Sequence, residues 1–119
     1  MNIYRENILA HCKSPENFGS LKNANFKAHD LNLSCGDEIE IYLEVKDNKI
    51  KDAKFQAKGC AISIASADIL LENIKNKSLN QIKNLTKEDL LKLLGIELTP
   101  TRLKCALLSL NTLNKAIKK

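Results

Sequence analysis

Three of the four cysteines, Cys35, Cys60 and Cys105, stand at places where secondary-structure elements are predicted to begin or end. Cys35 is followed by glycine and Asp37, Cys60 is preceded by glycine, and Cys105 is preceded by lysine. Thiolates and carboxylates are ligands for zinc and iron, so these four residues would complete a four-coordinate site if the fold brings them together. The intervals are long, 25 residues between the first two of these cysteines and 45 between the last two, and match no compact zinc finger.

The remaining candidates are weaker. The alternative for every cysteine is a small buried apolar residue, and we prefer it for Cys12, which lies on the predicted apolar side of a helix. We expect neither His11 nor His29 to be a metal ligand, because His11 adjoins the end of the first predicted helix, where it can cap or pack, and His29 lies mid-strand with no partner pattern. Ser63 and Ser66 follow Cys60 closely, but no Gly-x-Ser-x-Gly elbow or paired histidine accompanies them.

The local sequence gives the proposed site a physical logic. Gly36 lets the backbone turn, so that the residues on either side of it can point at one ion. Cys60 is predicted at a helix N-terminus, where the helix dipole favours a thiolate. A carboxylate is a harder ligand than a fourth thiolate, which makes the site easier to open. Lys58, Arg102 and Lys104 either offset the negative charge of a loaded site or are ordinary surface residues.

An N-terminal helix and a set of strands are predicted before these ligands. The helix covers residues 3–12, with Asn2 as its N-cap. Residues 25–58 are predicted to form strands, and the clearest is Glu38–Lys46, in which apolar and polar residues alternate. The dipeptide at 47–48 is typical of a tight turn. The first strand, around residues 26–33, is weaker because its apolar period slips at its centre.

The second half of the chain is predicted to be helical. An Ala- and Ile-rich helix covers residues 62–76, and a second helix begins after Thr86 and ends at Gly95. Thr99 is predicted to cap a last helix, which carries an apolar stripe at helical spacing. We therefore predict an α+β fold over residues 1–119 as a single domain, with the N-terminal helix first and helices packed on one face of a three-stranded antiparallel meander.

Composition excludes several classes of function. The chain has 119 residues and a net charge of +5, but its basic residues are scattered among acidic ones and aromatic residues are few, so no nucleic-acid partner is expected. No segment approaches about 18 uninterrupted apolar residues, so no membrane span is expected. We read no secretory signal at the N-terminus and expect a cytoplasmic protein, whose cysteines bind metal or react rather than form disulfides.

Four segments resemble one known family. Residues 11–21, HCKSPENFGSL, resemble the His-Tyr-x-Asn-Pro-Arg-Asn-x-Gly-x-Leu opening of IscU, SufU and the NifU N-terminal domain. The turn Cys35-Gly36-Asp37 resembles the first ligand motif of that family. Residues 54–67 and 99–108 resemble the segments around its second and third cysteines. The resemblance covers nearly the whole chain, and its motifs occur in the same order.

The resemblance implies an iron–sulfur cluster assembly scaffold that works with a pyridoxal-phosphate cysteine desulfurase and passes clusters to apo-proteins. It implies that Cys35, Asp37, Cys60 and Cys105 hold either zinc or a [2Fe-2S] cluster at the same site. Cys105 and Cys35 are the preferred acceptors of persulfide sulfur, without a reason in the sequence to choose between them. Cys12 stands where the family has tyrosine and gains no role from the resemblance.

Two features of the sequence point to different subtypes of this family, IscU and SufU. Lys104 stands where IscU proteins have histidine, which is the SufU pattern, whereas the short interval before Cys105 is similar to that of IscU. A second function is therefore open, that of a zinc-dependent sulfur acceptor, and a structural zinc module is a third. Residues 98–102, LTPTR, differ from the Leu-Pro-Pro-Val-Lys segment that a dedicated Hsp70 chaperone reads, so they give no support for that partner.

Overall fold

The computed structural model describes residues 3–33 and 36–117, with side chains from Glu6 onward. The elements in chain order are α1 (Ile3–Lys13), β1 (Phe26–Asn32), β2 (Asp37–Lys46), β3 (Lys49–Lys58), α2 (Ala61–Ile74), α3 (Leu79–Lys83), α4 (Lys87–Leu94) and α5 (Pro100–Ile117). The three strands form one antiparallel sheet in the order β1-β2-β3, with the N-terminal helix before it and the other helices after it. This confirms the predicted α+β class. The predicted cap at Asn2 lies outside the described residues.

The central strand β2 alternates as predicted. Ile39, Ile41 and Leu43 are almost completely buried, because this side of the sheet packs against α2 and α5. Asp47 and Asn48 form the two-residue turn into β3, and both have left-handed backbone angles, with φ of 55° and 64°. Two consecutive residues of positive φ are typical of the turn whose twist matches an antiparallel hairpin.

The slip in the first strand has a structural cause. Asp30 occupies a position of β1 opposite the buried Ile39, where a continuous apolar pattern would have an aliphatic residue. Its carboxylate instead forms an ion pair with Lys115 of α5, with 3.0 Å between the carboxylate Oδ2 and the ammonium nitrogen. The polar residue that weakens the sequence pattern therefore joins the strand to the last helix.

The caps of α4 are confirmed, and α3 is a helix that the sequence reading missed. Thr86 and Asp89 form a reciprocal capping box at the start of α4, and Gly95 ends that helix with φ of 68°. Helix α3 has only five residues, too few to show a helical period. Its one sequence signal is a second capping box, formed by Ser78 and Gln81.

A buried polar network joins α1 to α2. The Asp68 carboxylate, fully buried on α2, is hydrogen bonded to the His11 imidazole and accepts bonds from the backbone and side-chain nitrogens of Asn17, at 2.8 and 3.0 Å. The Asn17 amide also donates to Glu72 at 3.1 Å, and the Lys75 ammonium donates to the Asn17 oxygen. The hydrogen bond from Asn17 and the nearby Lys75 hold the pKa of Glu72 below its ordinary value.

The segment that follows α1 also pairs with the sheet. The Phe55 N–H donates to the Asn17 carbonyl at 2.9 Å, and the Gly19 N–H donates to the Phe55 carbonyl at 2.7 Å. The Phe18 ring stacks edge-on against the Phe55 ring, with centroids 5.4 Å apart. Residues 17–19 therefore cover the outer edge of β3. Among the described residues, no helix is long and apolar enough to cross a membrane.

Candidate metal centre

Three of the four predicted ligands meet at one end of the sheet. Asp37 begins β2, Cys60 is the N-cap of α2, and Cys105 lies in the second turn of α5. Antiparallel pairing sets Glu38 opposite Lys58, so the start of β2 and the end of β3 reach the same edge. One ligand atom from each of the three predicted ligands lies within 4.8 Å of the other two. Cys35, the fourth predicted ligand, lies outside the described residues.

The Asp37 carboxylate is held by the start of α2. Its Oδ1 accepts a hydrogen bond from the Cys60 backbone N–H at 3.2 Å. Its Oδ2 accepts from the Ser63 hydroxyl and lies 3.6 Å from the Cys60 sulfur. Only 3% of Asp37 is exposed, so these bonds replace the water that the carboxylate would otherwise bind. A side chain from β2 thus satisfies a backbone donor at the N-terminus of α2, where Cys60 makes no side-chain cap of its own.

Gly59 makes this approach possible. A Cβ built at Gly59 would lie 2.4 Å from the Asp37 Oδ1 and 2.6 Å from its carboxyl carbon. The backbone φ of Gly59 is +154°, a region that L-residues rarely adopt. Any side chain at this position would therefore occupy the space of a candidate ligand.

The donor set fits a thiophilic ion. Two sulfurs and one carboxylate oxygen supply three ligands, one short of the four that a tetrahedral zinc or iron–sulfur site requires. Cys105 and Asp37 are buried, whereas Cys60 is partly exposed. The group therefore has one side open toward the surface and an apolar core behind it, an arrangement that can take up a metal and exchange thiols with a partner.

The other residues weighed from the sequence do not join this group. His11 pairs with Asp68, and His29 lies on the exposed side of the sheet, 2.9 Å from the Glu38 carboxylate. Cys12 is partly buried and packs against the core. It lines a groove of about 670 Å³ between α1, the start of α2 and the loop after α4. The three flanking cations, Lys58, Arg102 and Lys104, are exposed.

Ser63 is a residue of the site that the sequence did not identify. Its sequence context gives no support for a nucleophile and predicts no other role, and in the structure its hydroxyl contacts the Asp37 carboxylate, 97% of the residue being buried. The signal available in the sequence is its spacing, because a residue three positions after Cys60 in a helix returns to the same face one turn later.

Comparison with known proteins agrees with these observations. The family model described as the NifU-like N-terminal domain matches residues 3–119. A Thermotoga maritima protein named iron-sulfur cluster assembly scaffold protein IscU is 38% identical, over 98% of this chain and 94% of its own. The Bacillus subtilis zinc-dependent sulfurtransferase SufU is 32% identical, over 98% of this chain and 90% of its own.

Solved structures share the fold. A protein from Fervidobacterium islandicum AW-1, proposed as an iron–sulfur cluster assembly scaffold for the SUF system, superposes with a TM-score of 0.80. It is 32% identical, with 95% of each chain covered. A NifU-like N-terminal protein from Brucella abortus superposes with a TM-score of 0.77, over 98% of this chain and 92% of its own, at 19% identity, and supports the fold alone.

Proposed function

The chain belongs to the NifU-like N-terminal domain family, and on this premise we propose that residues 1–119 form a single domain that assembles a nascent iron–sulfur cluster. The observation that carries the proposal is the convergence of Asp37, Cys60 and Cys105 from three separate elements to within 4.8 Å. Relatives named as scaffolds for iron–sulfur cluster assembly span almost the whole chain. The sulfur would come from a cysteine desulfurase, and apo iron–sulfur proteins would receive the product.

The proposed ligands are Cys35, Asp37, Cys60 and Cys105. Cys35 would supply the fourth donor, since it precedes Asp37 by two residues across the glycine at 36. When bound, a zinc ion or a growing cluster supplies positive charge that favours the thiolate form of the cysteines. The carboxylate, held by Cys60 and Ser63, is the hardest and most exchangeable ligand of the set.

Sulfur arrives by thiol exchange in this proposal. A cysteine thiolate attacks the terminal sulfur of the desulfurase persulfide, a new S–S bond forms on the attacking cysteine, and the desulfurase cysteine leaves as a thiolate. One S–S bond forms as another breaks, so the overall oxidation state of the sulfurs is unchanged and no external oxidant is needed. Cys105 and Cys35 are the proposed acceptors. Cys105 is only 4% exposed, so attack by Cys105 requires the partner to open this side of α5.

A zinc-dependent sulfurtransferase is the second candidate function. Lys104 before Cys105 and the similarity to the Bacillus subtilis sulfurtransferase SufU favour it. In that case zinc stays bound and organises the cysteine that carries sulfur to a further acceptor. A purely structural zinc is disfavoured by Asp37, because structural sites close with cysteine and histidine.

Metal and acid-labile sulfide content distinguish these functions. Protein purified without oxygen would be analysed before and after incubation with a cysteine desulfurase, cysteine and ferrous iron. Iron and sulfide appearing together would support the scaffold, whereas stoichiometric zinc that persists without sulfide would support the sulfur acceptor. Absence of metal and sulfide under both conditions would refute the ligand assignment.

Single cysteine replacements test the ligands and the acceptor. Cys35→Ser, Cys60→Ser and Cys105→Ser are each expected to lose metal or sulfur transfer. Cys12→Ser is the matched control, because Cys12 lies in the wall of the groove and outside the group, and it should keep both. Full metal content and full transfer in all three site variants would refute the assignment.

Chelation provides a readout that needs no partner protein. A bound metal that joins β2, α2 and α5 adds its binding free energy to folding, so its removal should lower the melting temperature. The comparison is between loaded and chelated wild-type protein, with metal loss confirmed by elemental analysis. An unchanged melting temperature would show that the metal does not link these elements.

A further inference from the structure

Ser63 occupies a central position in the metal centre. It lies in the first turn of α2 and is only 3% exposed. Its hydroxyl donates to the Asp37 Oδ2, lies 3.6 Å from the Cys60 sulfur, and lies 3.4 Å from the Cys105 carbonyl oxygen. One uncharged side chain therefore touches every described residue of the site.

We propose that Ser63 is a positioning residue that fixes the orientation of the Asp37 carboxylate and so sets how tightly the site holds its metal. The inference rests on the proposed function, because it concerns the metal of that site. A hydroxyl has a single proton to donate, and here its closest acceptor is the carboxylate rather than the backbone of α5. The cysteine thiol near the same oxygen cannot replace this donor, because Cys60 must lose its proton to bind a metal.

The expected loss of metal affinity follows from what hydrogen bonds to metal ligands contribute in general. Removing a hydrogen-bond partner of a metal ligand typically lowers metal affinity by about 10- to 100-fold, because the ligand loses its fixed orientation. Asp37 would keep the bond from the Cys60 N–H to Oδ1, so the carboxylate would stay nearby but could rotate. We therefore expect weaker metal binding by an otherwise folded protein.

The test compares Ser63→Ala with Ser66→Ala. Ser66 lies one turn further along α2 and is fully buried, and its hydroxyl has no hydrogen-bond partner among the described residues. Both variants lose the same atom from the same helix. Zinc affinity would be measured by competition with a chelator, and the ligand field by the visible spectrum of the cobalt-substituted proteins. Ser63→Ala should bind zinc about 10- to 100-fold more weakly and shift the cobalt spectrum, whereas Ser66→Ala should match wild type.

Unchanged affinity and an unchanged cobalt spectrum in Ser63→Ala would overturn the inference while leaving the proposed function intact. Failure of the wild-type protein to bind zinc or cobalt would instead overturn the proposed function, and the inference with it. A purely structural role would lower thermal stability without moving the cobalt spectrum, and that result also counts against the inference.

A second comparison, which omits the Ser63→Ala single variant, keeps the test decisive if that variant is too unstable to titrate, because Asp37→Asn removes the buried charge that would lose its donor. Asp37→Asn removes the charged acceptor, and the double variant with Ser63→Ala should then bind zinc as Asp37→Asn does, because the hydroxyl acts through the carboxylate. A further 10-fold loss in the double variant would show that Ser63 acts by another route and would refute the inference.

Discussion

Replacing Gly59 by alanine should destabilise the metal-free protein far more than the same change at Gly36. Both glycines have positive φ, +154° and +75°, so both substitutions strain the backbone. At Gly36 no described atom beyond its chain neighbours lies within 4 Å of the added Cβ. At Gly59 the added Cβ lies 2.4 Å from the Oδ1 of Asp37, 2.6 Å from its carboxyl carbon and 3.0 Å from its Cβ. Because the Asp37 Cβ does not move when the carboxylate rotates, that rotation alone cannot relieve the overlap.

The expected difference can be worked out from these contacts. Backbone strain costs about 1 to 2 kcal/mol at Gly36 and about 1 to 3 kcal/mol at Gly59. At Gly59 the Asp37 side chain must also move, which breaks its bonds from the Cys60 N–H and the Ser63 hydroxyl at about 1 kcal/mol or more each. We therefore expect Gly59→Ala to lose about 3 to 5 kcal/mol and Gly36→Ala about 1 to 2 kcal/mol.

Urea unfolding of the two chelated, reduced variants measures this difference, and zinc binding by the same samples provides a second readout. The slope of the unfolding transition should stay constant, so that the midpoints report stability. If the free energies of unfolding of the two variants agree within about 1 kcal/mol, the contact between Gly59 and Asp37 does not constrain the fold, and the reasoning is refuted.

Three further predictions concern polar groups away from the metal centre. Asp68→Asn should lower the free energy of unfolding by about 2 to 4 kcal/mol, because the buried carboxylate that joins α1 to α2 becomes an amide; an effect below about 1 kcal/mol in urea unfolding would contradict this. Glu72 has a lowered pKa, so its stabilising contribution is present above its ordinary pKa of 4.5 and lost as pH falls through the lower folded value. Glu72→Gln should flatten this acid-side loss in a series of melting temperatures, and an identical pH profile would count against it. The hydrogen bond to Glu40, with burial, raises the pKa of Tyr42 to about 12, so the neutral phenol stabilises the fold below pH 10 and this contribution is lost as pH rises through 12. In a Tyr4→Phe background, which leaves Tyr42 as the one tyrosine, ultraviolet titration should show the pKa of Tyr42 fall toward 10 when Glu40→Gln is added. An unchanged pKa would exclude the hydrogen bond to Glu40 as its cause.

The sequence predicted correctly those strands, turns and helix ends that are determined by neighbouring residues. The alternation of β2, the turn at 47–48 and the capping box of Thr86 each depend on residues that are close in the chain. The same signals placed Cys60 at a helix start, which is where the structure has it. The fold class was confirmed because these local signals give the order of the strands and most of the helices.

Pairings between distant residues could not be read in the same way. Asp68 looks like one polar residue in an apolar helix, and nothing near it identifies Asn17, 51 residues earlier, as its partner. Tyr42 falls on the polar side of β2 by alternation, yet it is only 8% exposed because its phenol bonds to Glu40 and the Lys27 ammonium lies 5.4 Å from its ring centroid. Such contacts are decided by the assembled surface rather than by the local sequence.

The pairing of residues 17–19 with β3 and α2 bears on the order in which the chain can fold. Asn17 bonds to Phe55 and to Asp68, and Asp68 follows it by 51 residues, so the docking surface of the N-terminal segment is incomplete until that part of the chain exists. At a synthesis rate of about 5 to 20 residues per second, this is a wait of several seconds on the ribosome. Helix α1 therefore cannot complete its docking until α2 has been made, and its polar bonds to α2 should report that step.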